Sequence, residues 1–336
     1  MTPSKTPQNK KVIVFGSTGP IGTQLIEIIT KEQPLWKILA VSRSGAQSKS
    51  HLSSRGLTNV TIVKGDVENL ENVQSLTRDV DLVYCCVGFE RYERKFWAEH
   101  WPIVVDNLLA VTSETKPLVF CDNLYAYGPG MGISPSTNII EASLKSKPAI
   151  RAVLRTEFQA RMDSQPMALT CVGGADFFGP HVHHSFLGDT FFGNMVNGQK
   201  PLALATDKVI HDFCYTKDFA NALYVASISE KAYGKFWICP HAIKNMTMRD
   251  IASEAQGIIS PDSNSPVKMQ VISVFLIKVL ALGMTFMKEM KEMLPFWTNA
   301  YGVNDNDFCR EFNVDATPIG DALRATAAYY QDQKKK

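Results

Sequence analysis

The polarity pattern opens with a run of four apolar residues, Val12-Ile13-Val14-Phe15, behind Lys10-Lys11. Consecutive apolar positions predict a strand covered on both faces, as in a parallel sheet. Residues 23–29 then carry apolar side chains at helical intervals. The same alternation continues: strands are predicted over 36–41, 60–64, 81–88, 117–121 and 167–172. Helices are predicted from Leu70, over 95–112, and over 148–162 with Pro148 at the start. Strands and helices alternating at this length predict an α/β protein with a doubly wound parallel sheet. Beyond Pro180 the rhythm changes. Residues 181–205 are rich in Gly, Phe and His, a strand is expected over 209–216, and a helix starts near Lys217-Asp218. A short strand follows at Phe236–Cys239, and 245–330 reads mostly as helix. The predicted division is therefore a sheet domain over 11–180, with 206–228 returning to it. A smaller, mostly helical C-terminal substrate lobe takes 181–205 and 229–330.

Between the first strand and helix lies Gly16-Ser17-Thr18-Gly19-Pro20-Ile21-Gly22, with glycine at every third position. Strand, glycine turn and helix in this order suit a dinucleotide's diphosphate, which the free amides of the helix start would meet. Gly16 permits a sharp exit from the strand, Gly19 lets the diphosphate approach, and Gly22 lets the helix lie close to the sheet. The second strand ends at Ser42-Arg43-Ser44 with no acidic residue. An acid there would bind two ribose hydroxyls, whereas Arg43 is placed for a 2′-phosphate, so NADP(H) is preferred to NAD(H). Asp66, in Gly65-Asp66-Val67, is expected to accept from the adenine amino group or to cap the helix near Leu70. Cys86 and Val87 end the fourth strand and should run under the phosphates and ribose. Asn107, inside the next helix, joins the cofactor candidates with Val67.

Composition narrows the class only a little. The 336 residues are 45% hydrophobic and 20% charged, which suits a large core, and the net charge of +2 gives no reason to expect a nucleic-acid partner. Seven scattered cysteines without a CxxC pair predict a reducing, cytoplasmic compartment and no disulfide framework. The first ten residues hold no apolar core of a secretory signal. The most apolar segment, 271–283, is short for a span and interrupted by Lys278. It predicts a buried helix or lid, with contact at a membrane surface as the alternative. The expected partner is a small-molecule substrate, and a homo-oligomer stays open.

Taken together, the glycine turn, Gly65-Asp66-Val67, Asp122-Asn123-Leu124-Tyr125-Ala126-Tyr127-Gly128-Pro129, Asp176-Phe177-Phe178-Gly179-Pro180 and Asp212-Phe213-Cys214-Tyr215-Thr216-Lys217-Asp218 resemble the extended short-chain dehydrogenase/reductase superfamily, in its NAD-dependent epimerase/dehydratase branch. The blocks run in the family's order over nearly the whole chain. The resemblance implies a Rossmann-type domain first and a substrate lobe last. It also implies that Asp176 and its neighbours sit beside the nicotinamide, and that Asp218 caps a helix.

The family's catalytic machinery does not carry over. Counting back from Tyr127-Gly128, its Ser/Thr position falls on Asn123. No Tyr-x-x-x-Lys occurs between Gly128 and Pro180, and residues 145–155 contain no tyrosine. In a reductase without the pair, Tyr125 would donate the proton and Asn123 would polarise a carbonyl. Arg151 or Arg155 would hold the ribose or a phosphate. The alternatives are a non-catalytic NADP(H)-binding sensor or scaffold, and an epimerase or dehydratase with a regenerated cofactor. His181, His183 and His184 are read as shaping the substrate mouth, with no metal expected, and His211 as structural. Met284, Met287, Met290 and Met293, with Phe286, Phe296 and Trp297, predict an apolar wall and hence a fairly apolar metabolite.

Overall fold

The computed structural model describes residues 9–45, 57–164, 167–263 and 265–335. The chain lays down β1 (Lys11–Phe15), α1 (Pro20–Glu32), β2 (Lys37–Ser42), β3 (Val60–Lys64), α2 (Leu70–Thr77), β4 (Leu82–Cys85), α3 (Arg94–Leu109), β5 (Leu118–Asn123), β6 (Gly130–Ile133), α4 (Lys147–Ser164), β7 (Leu169–Gly174) and β8 (Asp176–Phe178). After a π-helical turn at Asp189–Gly193 come β9 (Leu202–Ala205), β10 (Phe213–Tyr215), α5 (Thr216–Ser227), β11 (Lys235–Ile238), α6 (Met248–Ile259) and β12 (Gln270–Ser273). The chain finishes with α7 (Val274–Leu280), α8 (Thr285–Glu292), α9 (Leu294–Thr298), β13 (Tyr301–Val303), α10 (Asn306–Phe312) and α11 (Ile319–Lys334).

Seven strands form one sheet in the order β11-β7-β5-β4-β1-β2-β3, with every neighbouring pair parallel. The order reverses direction between β1 and β4, and in such sheets the crevice outside the strands' carboxyl ends at that point holds the ligand. Alternate residues of β1 feed two cores. Val12 and Val14 pack with Leu25, Ile26 and Ile29 of α1 and with Phe219 and Leu223 of α5. Ile13 and Phe15 pack with Trp101, Val104 and Leu108 of α3 and with Ile150 and Leu154 of α4. The helical spacing of Leu25, Ile26 and Ile29 is what turns one face of α1 to the sheet.

Three expectations need correction. The strand at 235–238 belongs to the main sheet, where β11 pairs with β7, and not to the second lobe. The local sequence shows a strand there but cannot show its partner. The apolar segment 271–283 is neither one helix nor buried: it divides between β12 and α7, and of α7 only Ile277 is buried. Asp218 does not cap α5. It lies in the first turn and accepts from the Thr317 amide at 2.9 Å and hydroxyl at 2.6 Å, which anchors the C-terminal segment. Outside the main sheet, β8 pairs with β10, β9 with β12 and β6 with β13, each in parallel.

Candidate cofactor and active site

The glycine turn is built by close backbone approach. Gly16 has φ +80°, and a Cβ on it would stand 2.4 Å from the Cys86 carbonyl oxygen. A Cβ on Gly22 would stand 2.3 Å from the Gly16 oxygen. Gly19 differs: its nearest neighbour would be that same oxygen at 3.5 Å, so its outer side is open. It precedes α1 in extended conformation with no side-chain cap, and Pro20 begins the helix. The first helical hydrogen bond is Thr23 N–H to Gly19 O at 2.9 Å. The amides of Ile21 and Gly22 precede it, which is the arrangement an anion at a helix start requires. The turn therefore fits a diphosphate. Thr18 is exposed on it and Ile21 is half-buried. Ser17 is a correction: it is buried, and both its amide and its hydroxyl donate to Val41 O, at 3.2 and 2.9 Å, so it serves the β1–β2 junction.

On the adenosine side Arg43 is exposed just past β2. Part of the following polar segment, 46–56, lies outside the described residues. Asp66 accepts from the Glu68 amide at 3.0 Å, and its own amide donates to Asn72 Oδ1. The cap of α2 is Asn69, which accepts from the Asn72 amide at 2.9 Å. Asp66 thus shapes a turn. Asn107 is also corrected: it is buried and donates to Val67 O at 3.0 Å, bracing that turn from behind. Val67 is buried, whereas Cys86 and Val87 are half-buried at the end of β4.

The two catalytic candidates stand at the end of β5, Asn123 as its last residue and Tyr125 two residues further on. The Asn123 Oδ1 accepts from the Tyr125 amide at 3.1 Å, which fixes the side-chain amide and turns Nδ2 away from that bond. The Tyr125 hydroxyl donates to Asp176 Oδ1 at 2.7 Å, and His211 Nε2 lies 2.8 Å from Asp176 Oδ2. Asp176 is therefore the centre of a Tyr125–Asp176–His211 chain. Trp297 stacks on His211 at 4.0 Å, and Phe296 packs on Tyr125 at 5.1 Å between ring centres. Burial pushes the Tyr125 hydroxyl well above its ordinary range, and the Asp176 carboxylate pushes it further. Tyr125 is a neutral donor here, the reverse of a phenol activated by a neighbouring lysine.

Behind this edge lie a cation that sequence reasoning missed, Lys147, and one it assigned to the ribose or a phosphate, Arg151. Lys147 and Arg151 stand four residues apart at the start of α4, both buried. Lys147 Nζ lies 2.6 Å from Glu289 Oε2 and 3.1 Å from Glu292 Oε1, over the Tyr92 ring. Arg151 pairs with Asp122 at 3.1 Å and lies 3.8 Å from the Trp101 ring centre. Arg151 is thus committed to Asp122 instead of a ribose, and Arg155 donates to Pro135 O. The four-residue spacing was a readable signal, since it puts both cations on one helix face.

The histidine cluster has other partners: His183 meets Asp189 at 2.8 Å and the Tyr329 hydroxyl at 2.9 Å, and His181 packs on the Tyr329 ring. Cys214, Cys239 and His241 come together elsewhere, all buried. His241 already accepts from the Ala175 amide and lies 2.7 Å from Cys239 O, while burial pushes both thiols up. That donor set does not suit a metal.

Residues 8–96 match the model of the NmrA-like family. No curated protein matches the chain. Among solved structures, the chain is similar to a dTDP-glucose 4,6-dehydratase from Bacillus anthracis in complex with NAD. The two are 14% identical, with 97% of this chain and 98% of that one covered and a TM-score of 0.76. It is also similar to a UDP-glucuronic acid 4-epimerase from Bacillus cereus in complex with NAD, at 14% identity, 97% and 98% coverage and TM-score 0.72. A UDP-N-acetylglucosamine 4-epimerase from Methanobrevibacter ruminantium, in complex with UDP-N-acetylmuramic acid, gives 16%, 97% and 99%, and 0.74. From the glycine turn to the last helix, the chain shares the fold of these dehydratase and epimerase structures.

Proposed function

We propose that the chain is a nicotinamide-dinucleotide-dependent oxidoreductase that works without a Tyr-x-x-x-Lys pair. It reduces a carbonyl or activated C=C of a small, fairly apolar metabolite. The observation that carries this reading is the pairing of Tyr125, held neutral, with Asn123, whose Oδ1 is already bonded, at the carboxyl end of β5. Asn123 Nδ2 then donates to an oxygen that becomes negative, and the Tyr125 hydroxyl joins it by turning from Asp176 Oδ1, a role that needs no titration.

A reduced nicotinamide held with its diphosphate at the Gly16–Gly22 turn would supply the hydride. Hydride addition to the electrophilic carbon would move the π pair onto oxygen, where Asn123 Nδ2, and the Tyr125 hydroxyl once turned from Asp176, would stabilise it. A proton from water completes the reduction. The wall formed by Phe296, Trp297, Met290 and Met293, all buried, favours an apolar substrate over a sugar nucleotide. Epimerase and dehydratase chemistry leans on a strong general base, and Tyr125 beside Asp176 is a poor one.

Arg43, with no carboxylate among residues 42–45, supports NADPH as the cofactor. The similar structures named with NAD weigh the other way.

One observation favours a second reading, a non-catalytic NADP(H)-binding sensor. Lys147 and Arg151, the buried cations at the start of α4, are both paired with carboxylates, which leaves neither for the ribose. Oxidation of NADPH across a panel of enones, ketones and aldehydes separates the two. Turnover that falls about 100-fold in Tyr125→Phe and Asn123→Ala supports the reductase. Tight NADPH binding with no turnover on any compound assigns the sensor.

A further inference from the structure

The helices α7 and α8 pack against each other as a hairpin with an unusual surface. Phe275 is 76% exposed, Leu282 89% and Phe286 59%, with Leu276, Val279 and Met284 also exposed. Single exposed apolar residues are ordinary, but this many within one hairpin is not. The charges on it are sorted. Glu289 and Glu292 turn inward onto Lys147, whereas Lys278, Lys288 and Lys291 are exposed. The outward surface therefore combines large apolar side chains with charge of one sign. The chain runs on directly into α9, whose Phe296 and Trp297 cover Tyr125 and His211. The hairpin is thus the outer side of the wall that closes the candidate site.

We propose that the α7–α8 hairpin is a docking surface for an anionic phospholipid bilayer, which seats its apolar side chains among the acyl chains and its lysines at the headgroups. The chemistry is that of an interfacial amphipathic helix, in which apolar insertion and attraction to anionic lipid add. It is not a span: among the described residues no helix is long and apolar enough to cross a membrane. A second copy of the chain is a poorer occupant. A two-fold contact through this face would bring together two surfaces that carry charge of the same sign. Docking in this way presents the wall of the candidate site to the lipid, where apolar small molecules concentrate. It does not depend on turnover.

Flotation with vesicles tests it. One set contains phosphatidylcholine alone and the other phosphatidylcholine with phosphatidylglycerol. The full chain floats with the anionic vesicles, stays down with the neutral ones, and is released by high salt. The variant Phe275→Ser/Leu282→Ser/Phe286→Ser loses about tenfold or more of the bound fraction. Lys278→Glu/Lys288→Glu/Lys291→Glu does the same. Near-ultraviolet circular dichroism matching that of the unmodified chain shows that both variants are folded. Three results overturn the proposal: no flotation with either vesicle, equal flotation of the serine variant, or a dimer by light scattering that the serine variant abolishes. The last would assign the face to a second copy.

Discussion

Lys147 and Glu289 meet at 2.6 Å across 142 residues of chain, joining the first turn of α4 to α8. Lys147 is wholly buried, and Glu292 completes the pair from the next turn of α8. Removing the cation leaves two partly buried carboxylates facing each other. Lys147→Met is therefore expected to destabilise the fold by about 3–5 kcal/mol. Lys147→Met/Glu289→Gln/Glu292→Gln recovers most of that loss, because the uncompensated charge goes with the lysine. Urea unfolding of the three proteins checks this. Equal midpoints for single and triple variants would show that burial, not charge, sets the penalty.

The three glycines of the turn separate folding from binding. Gly16→Ala puts a Cβ 2.4 Å from backbone at a positive φ, so it should destabilise the protein by about 3 kcal/mol. At Gly19 the same methyl meets only one atom, at 3.5 Å. Gly19→Ala should then melt like the unmodified protein and bind dinucleotide about 100-fold more weakly, because the methyl stands where the diphosphate approaches. Calorimetric titration beside thermal melting measures both. A Gly19→Ala protein of full affinity would remove the diphosphate from this turn.

These contrasts also show what the sequence could reveal. The β1–turn–α1 unit was legible because every determinant is local: a continuous apolar run, glycines at fixed spacing and one apolar helix face. The sheet of seven parallel strands followed from the same alternation, except that β11 could not disclose its partner β7. Polar residues were read less well because their partners lie far off in sequence. Asn107 is spoken for by Val67, 40 residues away, and Asp176 by Tyr125 and His211. The Ser17 amide and hydroxyl are taken by Val41 O, 24 residues on, a partner the glycine turn itself does not disclose. The hairpin shows a different limit. Periodicity identified its apolar side chains but not whether protein covers them.

Arg43 gives a cofactor prediction that does not involve catalysis. It is exposed, and no carboxylate occupies residues 42–45. Arg43→Ala should weaken NADPH about tenfold and leave NADH unchanged, since only the former carries the 2′-phosphate that a guanidinium would hold. Titration of both dinucleotides into both proteins reads the ratio directly. Equal preference before and after the substitution would leave Arg43 without that role and return the cofactor to NADH.

Asp305 makes a prediction about acid. It is buried, and burial alone would push its carboxyl up, but hydrogen bonds from His241 and Lys244 outweigh this and hold it at about 2. An unfolded aspartate titrates near the ordinary value of 3.8. A carboxyl lowered on folding stabilises the native state above the unfolded value, and that contribution is lost as pH falls through the folded one. Asp305 should therefore contribute about 2 kcal/mol above pH ~4, fading between pH ~4 and ~2. Because it joins the loop after β11 to the start of α10, the loss loosens the sheet's outer edge first. In Asp305→Asn the stability measured by urea unfolding should fall less between those limits than in the unmodified protein. Identical pH slopes would mean that the carboxyl is not held down in the folded chain.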